Sequence, residues 1–178
     1  MDKTMNVLLA GFGGQGILFA GKVMAYSGLV DGAEISWLPS YGPEMRGGTC
    51  NCSVVISKDA IGSPLVVNPD VLVAMNKPSL LKFMDKVVSG GTIIVDSSTV
   101  DVKVERTDVT VYYVPATVLA DENGIKGLAN MILVGKLFKE TGFVSQESLD
   151  QGLLKCIPPK KAAMIESNKK ALSIGAQQ

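Results

Sequence analysis

A mostly apolar run, Met5-Asn6-Val7-Leu8-Leu9-Ala10, passes without a break into Gly11-Phe12-Gly13-Gly14-Gln15-Gly16. Ile17, Leu18, Ala20, Val23, Met24 and Ala25 then follow at helical spacing. A short apolar run bounded by glycine reads as a buried parallel strand. Glycines let the chain turn sharply, and the apolar stripe beyond them suits a helix folded back on that strand. The order predicts a strand over 5–10, a helix from Gly14 to about Ser27, and Gly28 as the C-terminal stop of that helix.

The same alternation continues. Strands are predicted over 33–38, 49–57, 70–75, 91–96 and 109–114, the last two set off by Gly90-Gly91 and Pro115. Lys77-Pro78-Ser79 starts a helix that extends to about Val88, with proline near its first turn. Three further helices are predicted over 127–141, 145–156 and 159–174. Strands alternating with helices favour an α/β protein, a Rossmann-like three-layer α/β/α sandwich with a mostly parallel sheet. The segment 49–57 follows a loop and no helix, so part of the sheet is expected to be antiparallel. With 178 residues, 47% of them apolar, one domain over 1–178 is expected.

Charge and composition exclude whole classes of chemistry. Lysine and arginine number 17 against 17 aspartate and glutamate, which leaves no broad electrostatic case for nucleic acid or a membrane surface. The apolar runs are too short to span a bilayer and the N-terminal segment lacks a cleavable-leader pattern, so a cytoplasmic location is expected. The three cysteines fit a reducing compartment better than a disulfide framework. The sequence contains no histidine, which removes histidine bases, triads and metal ligands from its repertoire.

Gly11, Gly13 and Gly16 match the Gly-x-Gly-x-x-Gly spacing of dinucleotide-binding turns. Such a turn also needs an acidic residue at the end of the second strand, where it would meet the ribose hydroxyls. Here that strand ends in Ser36-Trp37-Leu38-Pro39, with Asp31 and Glu34 lying before it or at its start. No Gly-Lys-Ser/Thr follows, so the segment is not a Walker loop either. One reading makes the glycines a device for tight helix–strand packing. The other makes Gly11, Gly13, Gly14, Gln15 and Gly16 a surface for a ligand or partner, with the Gln15 amide able both to donate and to accept.

A second segment, Tyr41-Gly42-Pro43-Glu44-Met45-Arg46-Gly47-Gly48, fences a glutamate and an arginine with glycine and proline on both sides. Pro43 fixes φ, the glycines permit conformations that strain other residues, and Arg46 offers a planar fork of donors. The alternative is a surface pair of Glu44 and Arg46 contributing about 0–1 kcal/mol. Taken with Gly11 to Gly16, the motif Tyr41 to Thr49, then Asn51-Cys52-Ser53-Val54 and Ile61-Gly62-Ser63-Pro64, closely resembles the gamma subunit of the 2-oxoacid:ferredoxin (acceptor) oxidoreductases. The resemblance covers most of the chain. It is the counterpart of a domain fused into single-chain pyruvate:ferredoxin oxidoreductases.

The resemblance implies a complex that decarboxylates a 2-oxoacid on thiamine diphosphate, passes electrons through iron-sulfur clusters to ferredoxin, and releases an acyl-CoA. The Tyr41 to Thr49 wording is similar to the 2-oxoglutarate and branched-chain types, with 2-oxoglutarate preferred. It further implies alpha and beta partner subunits and a small ferredoxin-like delta subunit, with thiamine diphosphate, magnesium and the clusters on those partners and CoA as cosubstrate. No Gly-Asp-Gly magnesium motif occurs here, and Cys50, Cys52 and Cys156 lack cluster spacing. The chain is therefore expected to carry no cofactor and no catalytic residue. Tyr41, Gly42, Pro43, Glu44, Arg46, Gly47 and Gly48 would join Gly11 to Gly16 as residues facing a partner or active site, with Arg46 meeting a carboxylate or a CoA phosphate. Two other readings compete: an independent NAD or FAD module supported by Gly11, Gly13 and Gly16, and a self-associating scaffold.

Overall fold

The computed structural model describes residues 4–40 and 49–178. Within them, β1 (Met5–Phe12) leads to α1 (Ile17–Val30), β2 (Glu34–Ser40), β3 (Thr49–Ser57), β4 (Val71–Ala74), α2 (Lys77–Phe83), β5 (Thr92–Asp96) and β6 (Thr110–Val114). Four helices complete the described chain: α3 (Ala116–Glu122), α4 (Ala129–Thr141), α5 (Gln146–Cys156) and α6 (Met164–Ala176). The strands form one six-stranded sheet in the order β2-β3-β1-β4-β5-β6.

The pairs β1–β4, β4–β5 and β5–β6 are parallel, whereas β3 runs antiparallel to both of its neighbours, β1 and β2. The expected α/β architecture with an antiparallel part is the observed one. The 49–57 strand has the expected bounds because its alternation serves two buried faces. Cys50, Cys52, Val54 and Ile56 enter the core beneath α1, α4, α5 and α6. Val55 enters the second core, with Leu80 and Phe83 of α2.

Several boundaries differ from the sequence expectation, each for a local reason. Gly28 lies inside α1 and does not end it; a Cβ there would approach Ile56 Cγ2 at 3.2 Å, so the position is set by helix–sheet contact. The helix starts at Ile17, after Gly16 in the left-handed region (φ 76°). α2 stops at Phe83 and a short 3₁₀ turn over Met84–Lys86 follows. There the Arg106 guanidinium donates to the carbonyls of Met84 (2.9 Å) and Val87 (2.7 Å), satisfying groups that a longer helix would have paired internally. The helix α3, between Pro115 and Asn123, was not anticipated. It is anchored by a tertiary contact: Thr117 Oγ1 donates to Asp96 Oδ2 at 2.6 Å.

Candidate functional site

The parallel strands β1, β4, β5 and β6 all end at one edge of the sheet, at Phe12, Ala74, Asp96 and Val114. After β1 the chain passes into the core containing Ile17, Ala20 and Val23 of α1. After β4 it passes into the opposite core with Leu80 and Phe83 of α2. Adjacent strands whose helices depart to opposite faces open a crevice at their carboxyl ends, the usual ligand or partner position in such sheets. Gly11 to Gly16 occupies this crevice.

Its geometry is held from within. Gly11 and Phe12 are still strand, paired with Cys50 and Thr49. Gly14 (φ 100°) and Gly16 (φ 76°) then turn the backbone through the left-handed region, which favours glycine. The Gln15 side chain folds back over the turn: its Oε1 accepts from Phe12 N at 2.6 Å and its Nε2 donates to Met75 O at 2.9 Å. Both ends of the amide that the sequence offered to a ligand are thus spent on bracing β1 against β4. A Cβ on Gly11 would stand 2.6 Å from Gln15 Oε1, so the glycine and the brace require one another.

Around the turn lies a network of buried polar side chains. Met75 O also accepts from Thr99 Oγ1 at 2.9 Å. Asn76 caps α2, its Oδ1 accepting from Ser79 N at 2.8 Å, while Asn76 Nδ2 and Ser79 Oγ have no hydrogen-bond partner. Asp96 is fully buried and accepts from Ser98 N (3.1 Å) as well as from Thr117. On the α1 side, Asn130 of α4 donates from Nδ2 to Gly16 O at 3.0 Å, fixing the first turn of α1. Sequence reasoning passed over Asn76, Asp96 and Asn130. The legible signal was an asparagine in the first turn of an otherwise apolar helix, where it competes with the backbone and is a poor helix former.

The topology speaks against a dinucleotide cradle. The strand beside β1 on this flank is β3, antiparallel, and β2 is displaced to the sheet edge. An acidic residue at the end of β2 would therefore stand one strand too far from the glycine turn to meet a ribose there. The residues Tyr41, Gly42, Pro43, Glu44, Arg46, Gly47 and Gly48 lie outside the described residues. Their flanks do not: Ser40 closes β2 opposite Asn51, and Thr49 opens β3 opposite Phe12. The second segment is thus connected at the same edge of the sheet from which the first glycine turn departs.

Among the described residues no group of three or more histidine, cysteine, aspartate or glutamate side chains could hold a metal ion. All three cysteines are free and buried. Burial pushes the Cys52 thiol up to about 12 and the Cys156 thiol up to about 11, the reverse of what a thiolate ligand requires. The buried, protonated thiols therefore do not fit an iron-sulfur cluster.

Residues 6–178 match the family described as pyruvate ferredoxin/flavodoxin oxidoreductase. The chain is 41% identical over 161 residues to the 2-oxoglutarate synthase subunit KorC of Methanothermobacter marburgensis, covering 86% of this chain and 87% of that protein. It is also 41% identical over 175 residues to the ketoisovalerate oxidoreductase subunit VorA of Methanothermobacter thermautotrophicus, with 97% of this chain matched. There the chain spans only 36% of the relative's length. Among solved structures, it superposes with a TM-score of 0.83 and 28% identity on the gamma subunit of a keto/oxoacid ferredoxin oxidoreductase from Geobacter sulfurreducens, covering 97% of this chain and 96% of that one.

Proposed function

The chain belongs to the pyruvate ferredoxin/flavodoxin oxidoreductase family, and from that premise we propose that it serves as the gamma subunit of a 2-oxoacid:ferredoxin oxidoreductase, with 2-oxoglutarate as the preferred substrate of the complex. The observation that carries this reading is the reciprocal match to a 2-oxoglutarate synthase subunit of nearly the same extent, 86% of one chain against 87% of the other. The geometry supports the same role. The carboxyl edge presents a glycine turn braced by the Gln15 amide, and the described residues there include no histidine, no accessible thiol and no metal-binding group.

In this reading the subunit contributes form to a site completed by alpha and beta partners. Thiamine diphosphate, magnesium and iron-sulfur clusters sit on those partners and on a ferredoxin-like delta subunit, in a cytoplasmic assembly that passes electrons to ferredoxin. Gly11, Gly13, Gly14, Gln15 and Gly16 form one contact surface, and Tyr41, Gly42, Pro43, Glu44, Arg46, Gly47 and Gly48 form the other. Arg46, always charged and able to bond in a bidentate manner, meets a partner carboxylate or a CoA phosphate.

Coexpression with the alpha, beta and delta chains, followed by CoA-dependent reduction of ferredoxin with 2-oxoglutarate, pyruvate and 2-oxoisovalerate, tests the proposal. The expected result is a copurifying complex whose highest kcat/KM is for 2-oxoglutarate. Arg46→Ala should weaken assembly, or raise the KM for CoA about tenfold, while the isolated subunit keeps its melting temperature. Full activity of a complex lacking this chain, or of the Arg46→Ala complex, would overturn the role assigned here.

A further inference from the structure

β2 is the last strand of the sheet, so one side of its backbone has no neighbour among the described strands. Which groups it turns outward follows from the ladder. Asn6 O and Ala10 O of β1 accept from Asp70 N (2.8 Å) and Met75 N (2.9 Å), so the even positions of β1 serve β4 and the odd ones serve β3. Carried through the two antiparallel registers, that alternation makes Glu34, Ser36 and Leu38 bond to β3 and leaves the N–H and C=O of Ile35 and Trp37 facing out. Pro39 falls in the outward set as well, where its missing N–H takes nothing from the ladder. Strand edges are ordinarily protected by charged side chains. Ile35 and Trp37 carry no charge.

The helix above this edge is open on the same side. α1 packs on β2 and β3, and its 14 residues contain one charge, Lys22. A helix that is apolar all round belongs in surroundings that cover it all round. Instead Lys22, Tyr26 and Leu29 line, with Ile35 and Trp37, an apolar groove of about 480 Å³. Leu29 is 59% exposed and Trp37 38%. The Lys22 ammonium lies 5.6 Å from the centre of the Tyr26 ring, on a stem long enough to stay in water at the rim of a contact.

An occupant of this edge has to supply an antiparallel strand and, one layer above it, an apolar helix flank at matching spacing. A second β2–α1 unit supplies both. Neighbouring strands lie about 4.8 Å apart, so a second β2 beside the first sets the two α1 helices, each lying over β2 and β3, about 10 Å apart, the separation of packed helices. We propose that the β2–α1 edge is an isologous interface at which two copies of this chain join their six-stranded sheets about a two-fold axis at Ser36. This register sets Ile35 of one copy opposite Trp37 of the other and pairs every outward N–H and C=O of both residues. An axis at Trp37 would set Ile35 opposite Pro39, which has no N–H to give. The Ser36 axis also places an aromatic ring beside a β-branched side chain, a favourable cross-strand pair. One strand edge and one helix flank about 20 Å long lie at the small end of specific interfaces, so the expected affinity is micromolar. The proposal concerns this chain alone and does not depend on its assembly with other subunits.

Sedimentation velocity of the full chain from about 1 to 200 µM should show a reversible monomer–dimer equilibrium with a Kd of about 10 µM. Leu29→Lys, at an exposed helix position, should raise that Kd about tenfold or more and leave the melting temperature of the dilute monomer unchanged. Cross-linking tests the axis, because the three native cysteines are buried. Ser36→Cys sets two thiols opposite each other in a pair whose Cα atoms are about 4.5 Å apart, within disulfide range. Mild oxidation should therefore give a covalent dimer with Ser36→Cys and none with Glu34→Cys, which faces Leu38 of the other copy. A chain that stays monomeric up to about 200 µM would leave the edge to a different partner and overturn the proposal. An unchanged Kd in Leu29→Lys, or cross-linking as efficient with Glu34→Cys as with Ser36→Cys, would overturn it too.

Discussion

Gln15 illustrates how a residue suggestive of ligand binding can instead be structural. Its amide ties the strand end at Phe12 N to Met75 O across the crevice, at 2.6 and 2.9 Å. Replacement by alanine leaves Phe12 N without this acceptor in a part-buried position, while Met75 O keeps Thr99 Oγ1, so Gln15→Ala should cost about 1–3 kcal/mol, measured as a lower midpoint in urea denaturation. An unchanged midpoint would mean that water replaces the amide without loss. The glycines at 11–16 were legible from spacing alone, because the left-handed φ values found at Gly14 and Gly16 favour glycine. Asp96 and Asn130 were not, because each owes its role to a partner remote in sequence, whereas Asn76 caps α2 through Ser79 three positions on. Asn130 bonds a carbonyl 114 positions away, a relation no local pattern encodes.

At the scale of elements, α4 and α6 approach so closely that their glycines replace side chains in the interface. A Cβ on Gly175 would fall well inside contact distance of Ile132 O and 2.9 Å from Lys136 N; one on Gly135 would lie 2.9 Å from Leu172 Cα. In an isolated helix, glycine to alanine gains about 1 kcal/mol. Here the obstructing atoms are backbone and cannot rotate away, so overpacking decides the sign. Gly175→Ala should destabilise the fold by about 3 kcal/mol, read as a fall in melting temperature, where a helix-propensity effect would raise it. Helix positions of this kind were mostly legible from apolar spacing at 127–141 and 159–174. Their ends were less so: α3 escaped notice because it is short and rests on the bonds from Thr117 to Asp96.

Across the whole molecule, one charged cluster joins the outermost strand to the helical layer. Lys136 of α4 is 5% exposed and donates to Glu140 Oε1 (2.6 Å) and Gln178 O (2.7 Å) while lying 4.1 Å from the centre of the Tyr112 ring. Tyr112 in turn donates to Glu140 Oε2 at 2.5 Å. Lys136 first, and then Tyr112, hold the Glu140 carboxyl below the usual glutamate value. A carboxyl depressed on folding contributes stability above its ordinary unfolded pKa of about 4.3 and loses it as pH falls through the folded value. Glu140→Gln should therefore be less stable than the parent at pH 7, with the gap closing as the solution is acidified below about pH 4. A gap independent of pH would mean that the carboxylate charge contributes nothing.

The antiparallel placement of β3 has one more consequence. Because β2 and β3 are sheet neighbours running in opposite directions, the segment between Ser40 and Thr49 joins the two arms of a hairpin and has no crossover to complete. Such a connection can be lengthened, shortened or rewritten with little penalty to the strands beneath it, since loop closure varies only slowly with length. The sheet thus places no crossover demand on the connection between Ser40 and Thr49, while the braced turn at Gly11 to Gly16 is locked to the fold itself.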